Sequence, residues 1–144
     1  MQHLLHKSQF DAVLGTRSHL SKVARTEHFF VHRLQLDWDN PTIVSAFAGR
    51  GHDVIADPKN TVFVGVMSPK RFAKRAVTRN LIKRQIYALT TESPLTAAAY
   101  VVRLKAPFAK DQFKSASSDA LKRAVRAELQ QIFSSFLAAP AVLA

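Results

Sequence analysis

The sequence predicts an α+β sandwich of one domain, with elements in the order α-β-β-β-α-β-α. Three observations predict it. Residues 61–67 and 98–104 are short apolar runs rich in β-branched side chains, bounded by Pro69 and Pro107. Residues 72–89 and 121–136 repeat apolar side chains every three or four positions, the helical period. The 144 residues carry no internal repeat and no low-complexity linker, and that length suits one core covered by helices.

Residues 1–7 and 138–144 read as loose termini of that domain. Ser8 is placed to cap a short helix in which Phe10, Val13 and Leu14 share a face, and Gly15 is a natural stop. Residues 16–27 are polar and basic and read as a loop. Residues 28–36 have strand composition. Pleating there puts Phe29, Val31 and Arg33 on one face and His28, Phe30, His32 and Leu34 on the other. Residues 37–60 are dense in turn formers, with a short strand expected at 43–47. Gly65, inside the 61–67 strand, points to close approach by another stretch of backbone. A helix follows over about 72–89. Residues 90–96 form a loop, and 98–104 the last strand. Ser115 or Ser117 caps a final helix whose stripe is Leu121, Val125, Leu129, Ile132 and Phe136, with Pro140 past its end.

The net charge of +11 directs the chain towards polyanions, nucleic acid ahead of an anionic membrane surface. No apolar run approaches the roughly 18 residues of a membrane span. The start lacks the long apolar core of a secretory signal. Cysteine is absent, which excludes disulfides and thiolate metal sites and is compatible with a cytoplasmic location.

The charge is concentrated. Residues 68–84 hold seven of the 21 Lys and Arg residues, and no acid occurs between Pro58 and Thr91. On a helical projection with Arg79 at zero, Lys83, Ala76, Tyr87, Asn80 and Arg84 fall between about 40° and 140°. Val77, Ala88, Leu81, Leu89, Ile82 and Ile86 fill about 160° to 340°, an apolar half suited to a sheet. Lys70, Arg71, Lys74 and Arg75 flank the first turn, with Lys74 projected towards the buried half. Cations at a helix N-terminus oppose its dipole. Arg75, Arg79 and Lys83, spaced four apart, repel by about 0.2–0.5 kcal/mol per pair. A merely solvated face would interleave Glu. Phosphates would supply the missing counter-charge, with arginine forks taking them bidentately and Asn80 donating to sugar or base.

The run K-R-A-V-T-R-N-L-I-K-R, preceded by G-V-M-S-P-K-R, resembles the Arg-Asn-Arg signature of the bacterial ribonuclease P protein component. Ser-Gln-Phe-Asp-Ala-Val-Leu resembles that family's N-terminal helix, His-Phe-Phe-Val-His its first strand, and Ala-Tyr-Val-Val-Arg-Leu its last strand. The likeness covers roughly residues 7–137. It implies a ribosomal-protein-S5-domain-2-like α-β sandwich with a left-handed β-α-β crossover. It also implies the subunit of a ribonucleoprotein endonuclease that removes the 5′ leader of precursor tRNA. Catalysis then belongs to the partner RNA, which holds Mg2+; the protein supplies no catalytic side chain and binds no metal alone. The implied partners are the catalytic RNA and precursor tRNA, not a membrane, and the isolated protein is expected to be a monomer. The RNA-facing positions carried over are Lys70, Arg71, Arg75, Arg79, Asn80, Lys83 and Arg84. The implied leader cleft holds Phe10, Leu14, His32, Gly65 and Met67, with Phe10 as a stacking platform. Leu81 and Tyr87 stand where the family usually has basic residues, which removes charge from the helix. Leu14 stands where it often has an aromatic. The 37–60 segment is longer than usual.

Other candidates carry less. His3, His6, His19, His28, His32 and His52 show no metal-binding spacing; His28 and His32, four apart on a strand, are distant. Asp37, Asp39, Asp53 and Asp57 lie in turn-rich sequence, where Asp serves local hydrogen bonds. Lys122, Arg123 and Arg126 on the last helix could add weak RNA contact. No Walker loop or nucleophile elbow is present. The alternative function is a non-enzymatic RNA-binding or ribosome-associated protein using the same basic helix. A membrane-bound amphipathic helix is disfavoured because its apolar half is needed by the sheet.

Overall fold

A computed structural model of the chain describes residues 2–4, 6–15, 22–48, 55, 57–93, 95–108 and 119–138. Its elements in order are β1 (Gln2–His3), α1 (Lys7–Leu14), β2 (Lys22–Arg25), β3 (Phe29–Leu34) and α2 (Pro41–Phe47). A 3-10 turn at Pro58–Asn60 follows, then β4 (Phe63–Met67), α3 (Ala76–Glu92), β5 (Ala99–Leu104) and α4 (Asp119–Ala138). The five strands form one sheet in the order β1-β4-β5-β3-β2. β1 runs parallel to β4 and β4 parallel to β5, while β3 is antiparallel to both β5 and β2. Parallel neighbours need a crossover, and α3 supplies it between β4 and β5.

The sheet is covered on both sides. Phe29, Val31, Val64, Tyr100, Val102 and Leu104 meet the apolar stripes of α3 and α4. Phe63, Ala99, Val101 and Leu34 meet α1, α2 and Leu4 on the opposite side. β5 is central and buried on both faces, which is why it reads as an almost unbroken apolar run. Tyr100 keeps its hydroxyl satisfied by donating to the Thr96 carbonyl oxygen at 2.9 Å. The edges are blunted: β1 has two residues, and β2 carries a register shift between Lys22 and Ala24.

Several expectations are corrected. Residues 1–7 are not loose throughout: Gln2 and His3 pair with β4, and Leu4 is core. The 16–27 segment contains β2. Thr26 N–H donates to Phe29 O at 2.9 Å, closing a tight β2–β3 hairpin over Glu27 and His28. The expected strand at 43–47 is helix α2. Pro41 opens it, and the Asn40 side chain accepts from Thr42 N–H at 2.9 Å, a start signal that outweighs the β-branched Ile43 and Val44. Of the three strands expected before the basic helix, 28–36 is β3 and 61–67 is β4, whereas 43–47 is helical and the unexpected β1 and β2 join the sheet instead.

Helix starts differ too. α1 begins after His6, not Ser8, with His6 N–H donating to Gln9 Oε1 at 3.1 Å. Gln9 Nε2 in turn donates to Ala46 O at 3.0 Å and ties α1 to α2. Gly15 does end α1, and a Cβ there would strike the Asp11 carbonyl oxygen. α3 begins at Ala76 rather than near Phe72. Pro69 starts a turn instead, with Phe72 and Ala73 N–H donating to its carbonyl at 3.0 and 3.1 Å. Lys74 is therefore outside the helix and exposed, not turned to the core. The α4 caps expected at Ser115 or Ser117, with Pro140, lie outside the described residues, as does the Phe136 side chain; Leu121, Val125, Leu129, Ile132 and Phe133 form the buried stripe.

The apolar half of α3 is narrower than its projection. Leu81, Ile82, Ile86 and Leu89 are buried together with Gln85 and Thr90, whereas Val77 is 52 % exposed. Ile82→Ala is expected to cost about 2–5 kcal/mol in urea unfolding. Val77→Ala is expected to stay within about 0.5 kcal/mol. Equal costs would contradict this placement of the helix.

Candidate RNA-binding face and cleft

The basic helix presents its charges as a single exposed surface. Lys70 and Arg71 lie in the turn after β4, Lys74 and Arg75 at the N-terminus of α3, and Asn80, Lys83 and Arg84 on its outer face; all are exposed. Among the described residues, none of these six cations is in an ion pair. Arg75 sits at the N-cap with no side-chain cap, so the helix N-terminus faces outward among cations. That arrangement suits an anion, since free N–H groups and the dipole add to the side-chain charge.

Arg79 is placed differently. It is half-buried, and one guanidinium nitrogen donates to the carbonyl oxygens of Ala73 and Lys74, both at 2.9 Å. It thus holds the loop that carries Lys70–Arg75 against the helix. Leu81 is core, so the absence of a basic residue there follows from its position on the sheet side. Arg126 on α4 donates to Gln85 Oε1 at 3.3 Å and Glu92 Oε2 at 3.0 Å, which binds α4 to α3. Lys122 and Arg123 are exposed.

Sequence reasoning missed one feature of this face. The ring of His3 in β1 stacks on Tyr87 at 3.7 Å between centroids, with 10° between planes. Burial of its ring, and next Lys83, lower the His3 pKa from the ordinary 6.5. Burial also raises the Tyr87 pKa. Nothing local in the first seven residues signals this stack, because it depends on β1 pairing with β4.

The implied cleft residues are brought together on the other face of the sheet, under α1. Phe10 lies directly over Gly65: a Cβ added there would meet Phe10 Cε1 at 2.6 Å and Leu4 Cδ1 at 2.8 Å. The close approach expected at Gly65 is therefore by side chains, not by another backbone. Phe10, Leu14 and Met67 are half-buried against this second core, while His32 is only 1 % exposed. Gly65 and His32 form its closed floor.

The remaining candidates resolve into structural roles. Asp37 Oδ1 accepts from Asp39 N–H at 3.0 Å, and Asp57 Oδ2 accepts from Asn60 Nδ2 at 2.8 Å, as turn residues do. His19, His52 and Asp53 lie outside the described residues. His28 precedes β3 and reaches the α4 side, contrary to the face expected from pleating. Its Nδ1 lies 2.8 Å from Glu128 Oε1, and its ring stacks on Phe108. Glu27, His28 and Glu128 bring one ligand atom each within 4.8 Å of one another. This mixed donor set is engaged in a hydrogen bond and does not match the oxygen octahedron of Mg2+.

Because the folded-state pKa of His3 is lowered, its contribution is complete above the unfolded pKa and declines as pH falls below about 6.5. An NMR titration should give His3 a midpoint below that of free histidine. Lys83→Ala should raise the midpoint only partly, since burial is the larger cause. A midpoint at or above 6.5 would remove the stack from the solution structure.

Comparisons with known proteins bear on the family and the fold. The family model described as Ribonuclease P matches residues 1–132. The ribonuclease P protein component of Ralstonia pickettii is 44 % identical over 72 residues, covering 49 % of this chain and 50 % of that protein. That of Bordetella parapertussis is 43 % identical over 72 residues, covering 49 % of this chain and 54 % of that protein. The matched stretch thus spans about half the length of these relatives. The Staphylococcus aureus RNase P protein has the same fold, with a TM-score of 0.58 over 94 % of each chain at 15 % identity. With nine-tenths of its length matched by the family model and its fold shared, the chain belongs to the ribonuclease P protein family.

Proposed function

We propose that this chain is the protein subunit of ribonuclease P, which binds a catalytic RNA and promotes endonucleolytic removal of the 5′ leader from precursor tRNA. The observation that carries the reading is the outward row of Lys70, Arg71, Arg75, Asn80, Lys83 and Arg84, exposed and without acidic partners among the described residues. Arg79 contributes by fixing the loop from which three of them project.

In this reading the protein binds and positions. In the holoenzyme, Mg2+ held by the RNA would supply charge neutralisation and activation of water. The Glu27–His28–Glu128 group lies at α4, on the sheet face opposite the α1 cleft, and no step runs through it. The face of α3 docks on the catalytic RNA, and the α1 side of the sheet receives the single-stranded leader, with Phe10 at its entrance. No helix among the described residues is long and apolar enough to cross a membrane. A monomeric free protein in the cytoplasm is consistent with this role.

Reconstitution with cognate RNA and precursor tRNA at low Mg2+ tests the proposal. The protein should stimulate leader removal. Failure to stimulate, or co-sedimentation with ribosomes alone, would contradict it. Affinity for the catalytic RNA should fall about a thousandfold between 50 and 200 mM salt, as for roughly six phosphate contacts. Arg79→Ala should weaken RNA assembly, and Phe10→Ala should raise KM mainly for leader-bearing substrate. Equal loss on mature tRNA would remove Phe10 from the leader path.

A further inference from the structure

The sheet face under α1 is built in three cross-strand rows that differ sharply in chemistry. The first joins Phe63, Ala99 and Leu34, and the second joins Gly65, Val101 and His32. Apart from half-buried Leu34, both rows are buried. The third row joins Met67, Arg103, Phe30 and Arg25 across four strands. Here Met67, Arg103 and Phe30 are half-buried and Arg25 is exposed. α1 and α2 close the first two rows and leave the third open at the end where β4 finishes and β3 begins.

The open row is an aromatic ring flanked by cations. The Arg103 guanidinium carbon lies 4.8 Å from the Phe30 ring centroid, and Lys105 Nζ lies 4.9 Å from it. Lys105 follows the end of β5, where its N–H still donates to His28 O at 2.8 Å, and both it and Arg103 reach the Phe30 ring. Among the described residues, neither these two nor Arg25 is in an ion pair. Arg103 Nε is buried with no hydrogen-bond partner. An arginine in a central strand, in line with buried Ala99 and Val101, with one donor unsatisfied, is costly for the fold alone. The cost is offset when an acceptor arrives from outside.

We propose that Phe30, Arg103 and Lys105, with Arg25 at the edge, form a nucleotide platform that extends the leader cleft beyond Phe10. A base of single-stranded RNA stacks at the exposed part of the Phe30 ring, and the phosphates on either side take Arg103 and Lys105. This rests on the leader-binding role proposed above. It also relocates the contact: the closed floor at His32 and Gly65 supports the face from below, and the RNA lies on the third row. Aromatic stacking combined with backbone cations is the general chemistry of single-strand binding, tolerant of sequence because every base has a flat face. Guanidinium suits the position because it stacks on a ring and pairs with phosphate at once.

The test uses holoenzyme reconstituted with cognate catalytic RNA, and precursor tRNAs with leaders of one and eight nucleotides. The wild type should prefer the longer leader through KM. Arg103→Gln and Phe30→Leu, the latter retaining apolar bulk, should each reduce that preference about tenfold with kcat little changed. Arg103→Lys should restore part of it. Variants that keep the wild-type preference, or lose affinity equally for both leaders, overturn the platform while leaving the leader reading intact. So does a loss confined to affinity for the catalytic RNA. A wild type with no leader preference removes both. Should Phe30→Leu fail to fold, the Arg103 pair decides alone.

Discussion

From Ala99 to Val102, strand β5 has no face to give to solvent, and the rest of the fold answers that constraint. Ala99, Val101 and their cross-strand neighbours need one cover, while Tyr100, Val102 and Leu104 need another. α3 and α4 provide the second by setting Ile82, Ile86, Val125 and Leu129 on the sheet. Because α3 is also the crossover between two parallel strands, its rotation is fixed by that packing. The charged face then points outward with no further device. Rigidity at Ile82 and exposure at Lys83 are consequences of one helix docked in one orientation.

The same constraint explains where charge is tolerated. The start of α3 carries Lys74 and Arg75 against the local dipole, with no acidic residue in the first turn. Arg79 is turned back onto the carbonyls of Ala73 and Lys74, so one cation of the run organises the others rather than competing for the same anion. A face of like charges is unfavourable in the free protein and favourable once phosphates approach. It is a surface whose electrostatics are completed by a partner.

Much of this was legible in the sequence. β4, β5 and α4 announce themselves by periodicity, and the Leu81, Ile82 and Ile86 side of α3 follows from the same count. Most of the misses share a cause: they depend on contacts remote in sequence. Lys22–Arg25 is polar and becomes a strand because β3 offers it an edge. Gln2 and His3 are ordered by β4, about sixty residues away. Residues 43–47 look like a strand by side-chain type, yet Asn40 and Pro41 carry a helix start that was available to local reading. His28 reaches the α4 layer because a tight hairpin turns it there before pleating begins. At the site, the identity of the exposed cations was readable. The inward turn of Arg79 and the closure of His32 were not, because both depend on what packs over them.

The closed floor of the cleft bears on the single-strand role proposed for it. A flexible strand gains little from a soft surface, because its own ordering opposes binding. Here Phe10 is seated on Gly65, which leaves no room for a Cβ, and beneath them the sheet is packed solid. A base packed this way would neither collapse on losing a ligand nor have to open to admit one. The accessible side chains therefore stand at its rim, where burial gives way to half-exposure along a single cross-strand row. Stability of the floor and availability of the rim are produced by the same two helices. α1 and α2 cover the apolar rows and stop short of the row in which the sequence replaces apolar side chains with arginine.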